Sequence, residues 1–163
     1  MKPTPLLPEI AEAFSEFQKP SLYVAEGIYE PERLDYEEML GGKPRGAIEA
    51  ADFGPVSWSP LLHLAPDATG YLLPRLIELA ESEARDRDGE LFLMRLVNFL
   101  SMGPTAQEFV LLSPSQRALI TKYLVWLSTE RGPLFAEECW DFALEEAIRR
   151  WCNDAESLTQ SDR

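Results

Sequence analysis

The sequence predicts an all-α, single-domain helical bundle of five to six helices, with no convincing strand. Apolar residues recur at helical spacing, as Leu76, Ile77, Leu79 and Ala80 do after Pro74, with Glu78, Glu81 and Glu83 turned outward. Helix-start chemistry also repeats. Ser59-Pro60 and Ser113-Pro114 each place a serine cap before a proline that has no N–H to lose, and Gln116 completes a capping box at the second. Gly and Pro punctuate the chain at Gly41-Gly42, Gly54-Pro55, Gly103-Pro104 and Gly132-Pro133.

In chain order, residues 7–18 form an amphipathic helix with Leu7, Ile10, Phe14 and Phe17 inward and Glu9, Glu12 and Glu16 outward, stopped by Pro20. Residues 21–29 allow one short extended segment. A helix opening at Pro31-Glu32 runs to Met39 or Leu40 and closes at the glycine pair. Residues 58–84 are the stretch on which the core is expected to form. They read as a short helix carrying Leu61, Leu62 and Leu64, a link at Pro66-Asp67 with Asp67 as the next cap, and a long helix kinked or broken at Pro74. Residues 85–89 are a charged turn, and 90–100 an apolar helix. Residues 105–112 fit one helical turn or a loop. The helix capped at Ser113 continues through Leu119, Ile120, Tyr123, Leu124 and Leu127 and stops at Gly132-Pro133. The last helix spans residues 134–151, with Phe135, Trp140, Phe142 and Trp151 among its apolar set. In it Glu137, Asp141 and Glu145, four apart, form one acidic stripe, and Arg149 and Arg150 suit its C-terminal dipole. The domain is residues 1–152, and 153–163 a frayed polar tail.

A chain of 163 residues, 45% apolar, can bury a core without metals or disulfides. No apolar run approaches the roughly 18 residues that cross a membrane, and the N-terminus lacks a secretory pattern. A cytoplasmic protein is expected. Cys139 and Cys152 fall in one predicted helix, too far apart to bridge, and read as reduced thiols.

Charge is the strongest compositional signal: 28 acids against 15 Lys and Arg, net −13, with 18 of the acids in residues 1–90. Such a field repels nucleic acid and anionic lipid and attracts basic partners. A wet surface alone would also account for it.

The search for chemistry finds little. His63 is the single histidine, the cysteine spacing makes no zinc site, and no serine-nucleophile motif occurs. Residues 41–46 lack the glycine spacing and Lys-Ser/Thr ending of a phosphate loop. Trp58, Trp126, Trp140 and Trp151 read as core packing on helices. No metal or cofactor is expected.

Trp58 with Leu61-Leu62 is followed by Pro66-Asp67-Ala68, Gly70-Tyr71-Leu72-Leu73-Pro74-Arg75-Leu76 and an apolar helix. Then comes Leu112-Ser113-Pro114-Ser115-Gln116-Arg117, leading to Tyr123-Leu124. This order resembles a family of small uncharacterised bacterial acidic helical proteins, similar to the immunity proteins that neutralise polymorphic or secretion-system toxins. The likeness covers residues 58–127. Its motifs are structural and imply a shared fold more than a shared activity. The acidic first 50 residues depart from it, and no catalytic residue carries over.

Charge and resemblance together lead to an expected immunity or inhibitor protein that occludes a basic toxin domain and performs no chemistry. The candidate contacts are three acidic patches: Glu9, Glu12 and Glu16; Glu30, Glu32, Asp35, Glu37 and Glu38; and Glu137, Asp141 and Glu145. One alternative is an adaptor or chaperone of a secreted effector. Another is an enzyme or small-ligand protein using a cleft near His63, Tyr71 and Arg75. Monomer and homodimer both remain open.

Overall fold

The computed structural model describes residues 2–161, and side chains as far as 157. Among these it is an all-α bundle of six helices: α1 (Leu7–Ala13), α2 (Glu30–Leu40), α3 (Pro66–Glu81), α4 (Phe92–Leu100), α5 (Pro114–Glu137) and α6 (Asp141–Ser161). Short 3₁₀ turns lie at Arg45–Ala47, Ala50–Phe53, Pro60–His63 and Gln107–Phe109. The last of these settles the reading of residues 105–112.

α3 is the centre, as the apolar density of residues 58–84 predicts. It packs on α1 and α4, and the antiparallel pair α5 and α6 lies against α1 and α4. Pro74 does not break it. Proline leaves the Gly70 carbonyl without its helical donor, but Leu72, Leu73, Leu76 and Ile77 are fully buried around it, and tertiary packing holds the turn. Gly70 itself is required for space. A Cβ there would lie 2.3 Å from the Phe17 ring. The N-cap of α3 is Ala65, not Asp67, and Pro66 opens the helix.

Three further boundaries differ from the reading of the sequence. α1 ends at Ala13, because the chain turns there to drive Phe14 into the core. Glu16 therefore lies beyond the helix that holds Glu9 and Glu12. α5 runs through Gly132-Pro133 to Glu137, since Arg131 and Phe135 are both buried and anchor the turns on either side of the proline. The break comes instead at residues 138–140, where Cys139 takes φ 60° and the Trp140 N–H donates back to Phe135 O at 2.8 Å. The stripe Glu137, Asp141, Glu145 is thereby split between two helices, and Cys139 and Cys152 do not share one; both are free thiols. Residues 153–161 belong to α6 rather than to a frayed tail, while 162 and 163 lie outside the described residues. The predicted extended segment shrinks to a single bridge, Val24 to Leu64, and a second isolated bridge joins Arg85 to Leu91.

Cap chemistry is as predicted at two starts. Ser113 Oγ accepts from Gln116 N while Gln116 Oε1 accepts from Ser113 N, and Ser59 Oγ accepts from Leu61 N. Gly41 closes α2 in the left-handed region at φ 61°.

Two buried ion pairs were not legible as such. Glu81 is not outward: it is 7% exposed and accepts from Thr4 N at 2.9 Å and Tyr123 Oη at 2.8 Å, with Arg131 Nη2 at 3.4 Å. Arg131 also donates to Lys2 O at 2.6 Å, so the first residues are strapped over the pair. Asp86, in the charged turn, is buried too. Its Oδ1 accepts from Asp88 N and Glu90 N, and its Oδ2 meets Arg95 at 3.2 Å. Arg95 donates further to Gly54 O, Phe53 O and Ser59 Oγ, which fixes the 53–59 loop to α4. Such pairs persist in a core because hydrogen bonds satisfy both charges.

Of the four tryptophans only Trp151 is core. Its Nε1 donates to Leu100 O at 2.8 Å and its ring meets Phe109 edge-on. Trp126 is half-buried on α5. Trp58 and Trp140 lie off the helices, and Trp58 is exposed. Phe142, one of the apolar set of the predicted last helix, is 77% exposed.

Candidate functional site

The three acidic patches have different fates. On α1, Glu9 and Glu12 are exposed, with Glu9 3.9 Å from Lys122. Glu16 accepts from Gln116 Nε2 at 2.6 Å, and the same amide donates to Ala13 O, so Glu16 serves to pin the end of α1 to the start of α5.

On α2 the five acids divide by helical phase. Glu37 faces in and accepts from Val24 N at 2.7 Å, latching the extended segment onto the helix. Glu32 accepts from Tyr36 Oη at 2.6 Å, and His63 Nε2 stands 3.8 Å from the same carboxylate oxygen. Burial, and then the Glu32 carboxylate, hold the Tyr36 phenol well above its ordinary range. Glu30, Asp35 and Glu38 remain exposed and have no ion-pair partner among the described residues. Beside them stand Tyr29 at 73% exposure and Leu34 at 58%.

The third patch is the α5–α6 elbow. Glu137 ends α5, Asp141 begins α6 and Glu145 follows one turn later, all exposed, with Phe142 among them. Farther along α6 the charge is neutralised within the helix. Arg149 and then Arg150 hold the Glu146 carboxyl down to about 2 by hydrogen bonds at 2.7 Å.

His63, Tyr71 and Arg75 do not come together. Tyr71 Oη accepts from Arg45 N at 2.8 Å, and the Arg45 guanidinium lies over the Tyr71 ring at 5.1 Å. Arg75 Nε donates to Ile48 O at 2.9 Å. Both side chains hold the 45–48 turn on α3. His63 instead stacks on Tyr36, with centroids 5.3 Å apart, and Trp58 also meets the Tyr36 ring, with centroids 5.4 Å apart. His63 and Tyr36 line a cavity of about 170 Å³ that reaches Arg95 and Asn98 on α4 and Trp140 at the elbow. The sequence offers a signal for this only in hindsight, since Trp58 and Trp140 lie next to serine, proline and acids rather than within apolar runs.

Among the described residues, no group of three or more His, Cys, Asp or Glu is placed to hold a metal ion, and no helix is long and apolar enough to cross a membrane. No family model, curated protein or solved structure matches the chain.

Proposed function

We propose that the chain is an immunity-type inhibitor: a cytoplasmic bacterial protein that binds a basic toxin or effector domain and blocks its cleft, with no chemistry of its own. The observation that carries this reading is the outer face of α2. There Glu30, Asp35 and Glu38 stand exposed beside Tyr29 and Leu34, without an ion-pair partner among the described residues, in a chain of net charge −13. Acids of this kind steer a basic partner into encounter, and the apolar side chains supply the area that retains it. The resemblance of residues 58–127 to acidic helical proteins similar to toxin-immunity proteins points the same way. The elbow acids Glu137, Asp141 and Glu145 add to the same field. Glu16, Glu32 and Glu37 support the surface from within rather than meeting the partner.

The test is co-expression with the product of the neighbouring gene, followed by purification at low and high salt. The expected result is a stoichiometric complex that silences the toxic activity and weakens as salt rises, with the triple variant E30K/D35K/E38K releasing the partner. A complex indifferent to both salt and charge reversal would overturn the reading. A complex that leaves the toxic activity intact would assign the chain to effector delivery as an adaptor or chaperone.

A further inference from the structure

The cavity behind His63 does not end at Trp140. A second hollow of about 280 Å³, walled by Cys139 and Phe142, opens on its far side, and Asn98 and Trp140 line both. The two adjoin at Asn98 and Trp140 and together line a groove reaching from Tyr36 of α2 to Cys139 and Phe142 at the α5–α6 elbow.

Its size and lining describe an occupant. An apolar cavity of about 150 Å³ accommodates a benzene ring, and the inner hollow has about 170 Å³. Both amino groups of Arg95 are spent on Gly54 O, Phe53 O, Ser59 Oγ and Asp86, so the guanidinium closes the floor rather than presenting a charge. Tyr36, His63 and the half-buried Trp140 supply rings and Val56, Leu61 and Leu62 apolar wall, with Ser57, Asn98 and Glu90 as polar members, a setting for ring–ring contact. Acids stand along the groove: Glu32 beside His63, Glu90 on the wall, and the exposed Asp141 next to Trp140 in the chain, whereas Glu146 on the outer hollow is already held by Arg149 and Arg150. Two copies of the chain would set like-charged rims face to face, each molecule carrying −13. A basic segment meets the opposite condition.

Building on the partner-binding reading, we propose that this groove takes one aromatic side chain of the basic partner, carried on a segment with lysine or arginine on both sides of it. Partner affinity would then reside in the ring and encounter rate in the flanking charges.

The probe is the peptide acetyl-Lys-Lys-Phe-Lys-Lys-amide, titrated at low ionic strength into the full-length ¹⁵N-labelled protein. The expected result is saturable shifts of the Trp140 indole and the Asn98 side chain. The alanine-centred peptide should bind about tenfold or more weaker, the effect of losing one buried ring. Asn98→Trp, which fills the junction from an exposed position, should abolish the shifts while far-UV circular dichroism stays native. If that variant folds poorly, Phe142→Ser should weaken binding of the phenylalanine peptide. Equal binding of both peptides, with shifts confined to Glu30, Asp35 and Glu38, would overturn the groove while leaving the charge-based reading intact. Absence of shifts with either peptide would also overturn it, and capture of the partner would then decide the broader function separately. Concentration-dependent dimerisation abolished by Phe142→Ser would hand the groove to a second copy, and the proposal would fail.

Discussion

α2 and α6 each carry five acids and use them in opposite ways. On α6, Glu146 is clamped by Arg149 and Arg150, and Asp154 meets Arg117 of α5 at 3.2 Å. Past the exposed Asp141 and Glu145 at its start, these acids are consumed within the fold. On α2, Glu32 and Glu37 are turned to local partners, whereas Glu30, Asp35 and Glu38 are left to solvent beside exposed apolar residues. Composition counts these acids alike. What separates them is whether a cation lies within reach after folding, and that decides which are available to a partner.

The contrast is sharpest when a charge of the internal kind is removed. Arg95→Ala leaves the Asp86 carboxylate buried and unpaired and frees the 53–59 loop. A loss of about 3–5 kcal/mol is expected, read as a lower urea midpoint, because breaking one side of a buried pair strands the other.

The buried hydroxyls give an intermediate effect that depends on pH. Burial first, then Tyr71 and Glu37, raise the Tyr23 phenol from the ordinary 10.0 to about 12, and burial with Glu81 pushes Tyr123 up as well. A folded-state value raised in this way contributes stability that is fully present below pH 10 and is lost as pH rises through the folded value, between 10 and about 12 for Tyr23. Tyrosinate absorbance in the native protein should therefore lag that of the urea-unfolded chain, and the urea midpoint should fall across this window. Tyr23→Phe, which removes the donor to Lys43 O, should flatten part of that fall.

The smallest effect on stability is expected on the α2 face. E30K/D35K/E38K should shift the urea midpoint by the equivalent of less than about 1 kcal/mol, since exposed unpaired charges contribute little to folding. It should still remove most of the association with a basic partner. A large loss of stability in this variant would mean that the face is structural after all.

The helices themselves were largely legible. The Ser113 capping box, the Gly41 closure of α2 and the apolar period after Pro74 are local chemistry, and local chemistry is what a sequence displays. The errors share one origin. Pro74 and Pro133 lie inside helices because buried neighbours on both sides outweigh one lost hydrogen bond. Glu81 and Asp86 are buried because Arg131 and Arg95, distant or phased on another helix, come to meet them. The site was legible as a class of residue and not as a place. Five acids on α2 could be named, but which of them face Val24 or Tyr36 depends on how α2 lies on the segment before it. Nor does any local pattern bring Trp140 next to Asn98 and His63.

Glu81 also bears on how the chain is made. Its carboxylate needs Thr4, which leaves the ribosome early, and Tyr123 and Arg131, which leave late. Synthesis at roughly 5–20 residues per second puts several seconds between Glu81 and Arg131. Throughout that interval the buried carboxylate lacks its cation. The arrival of one guanidinium then fastens the beginning of the chain to α5 while α6 is still to be made.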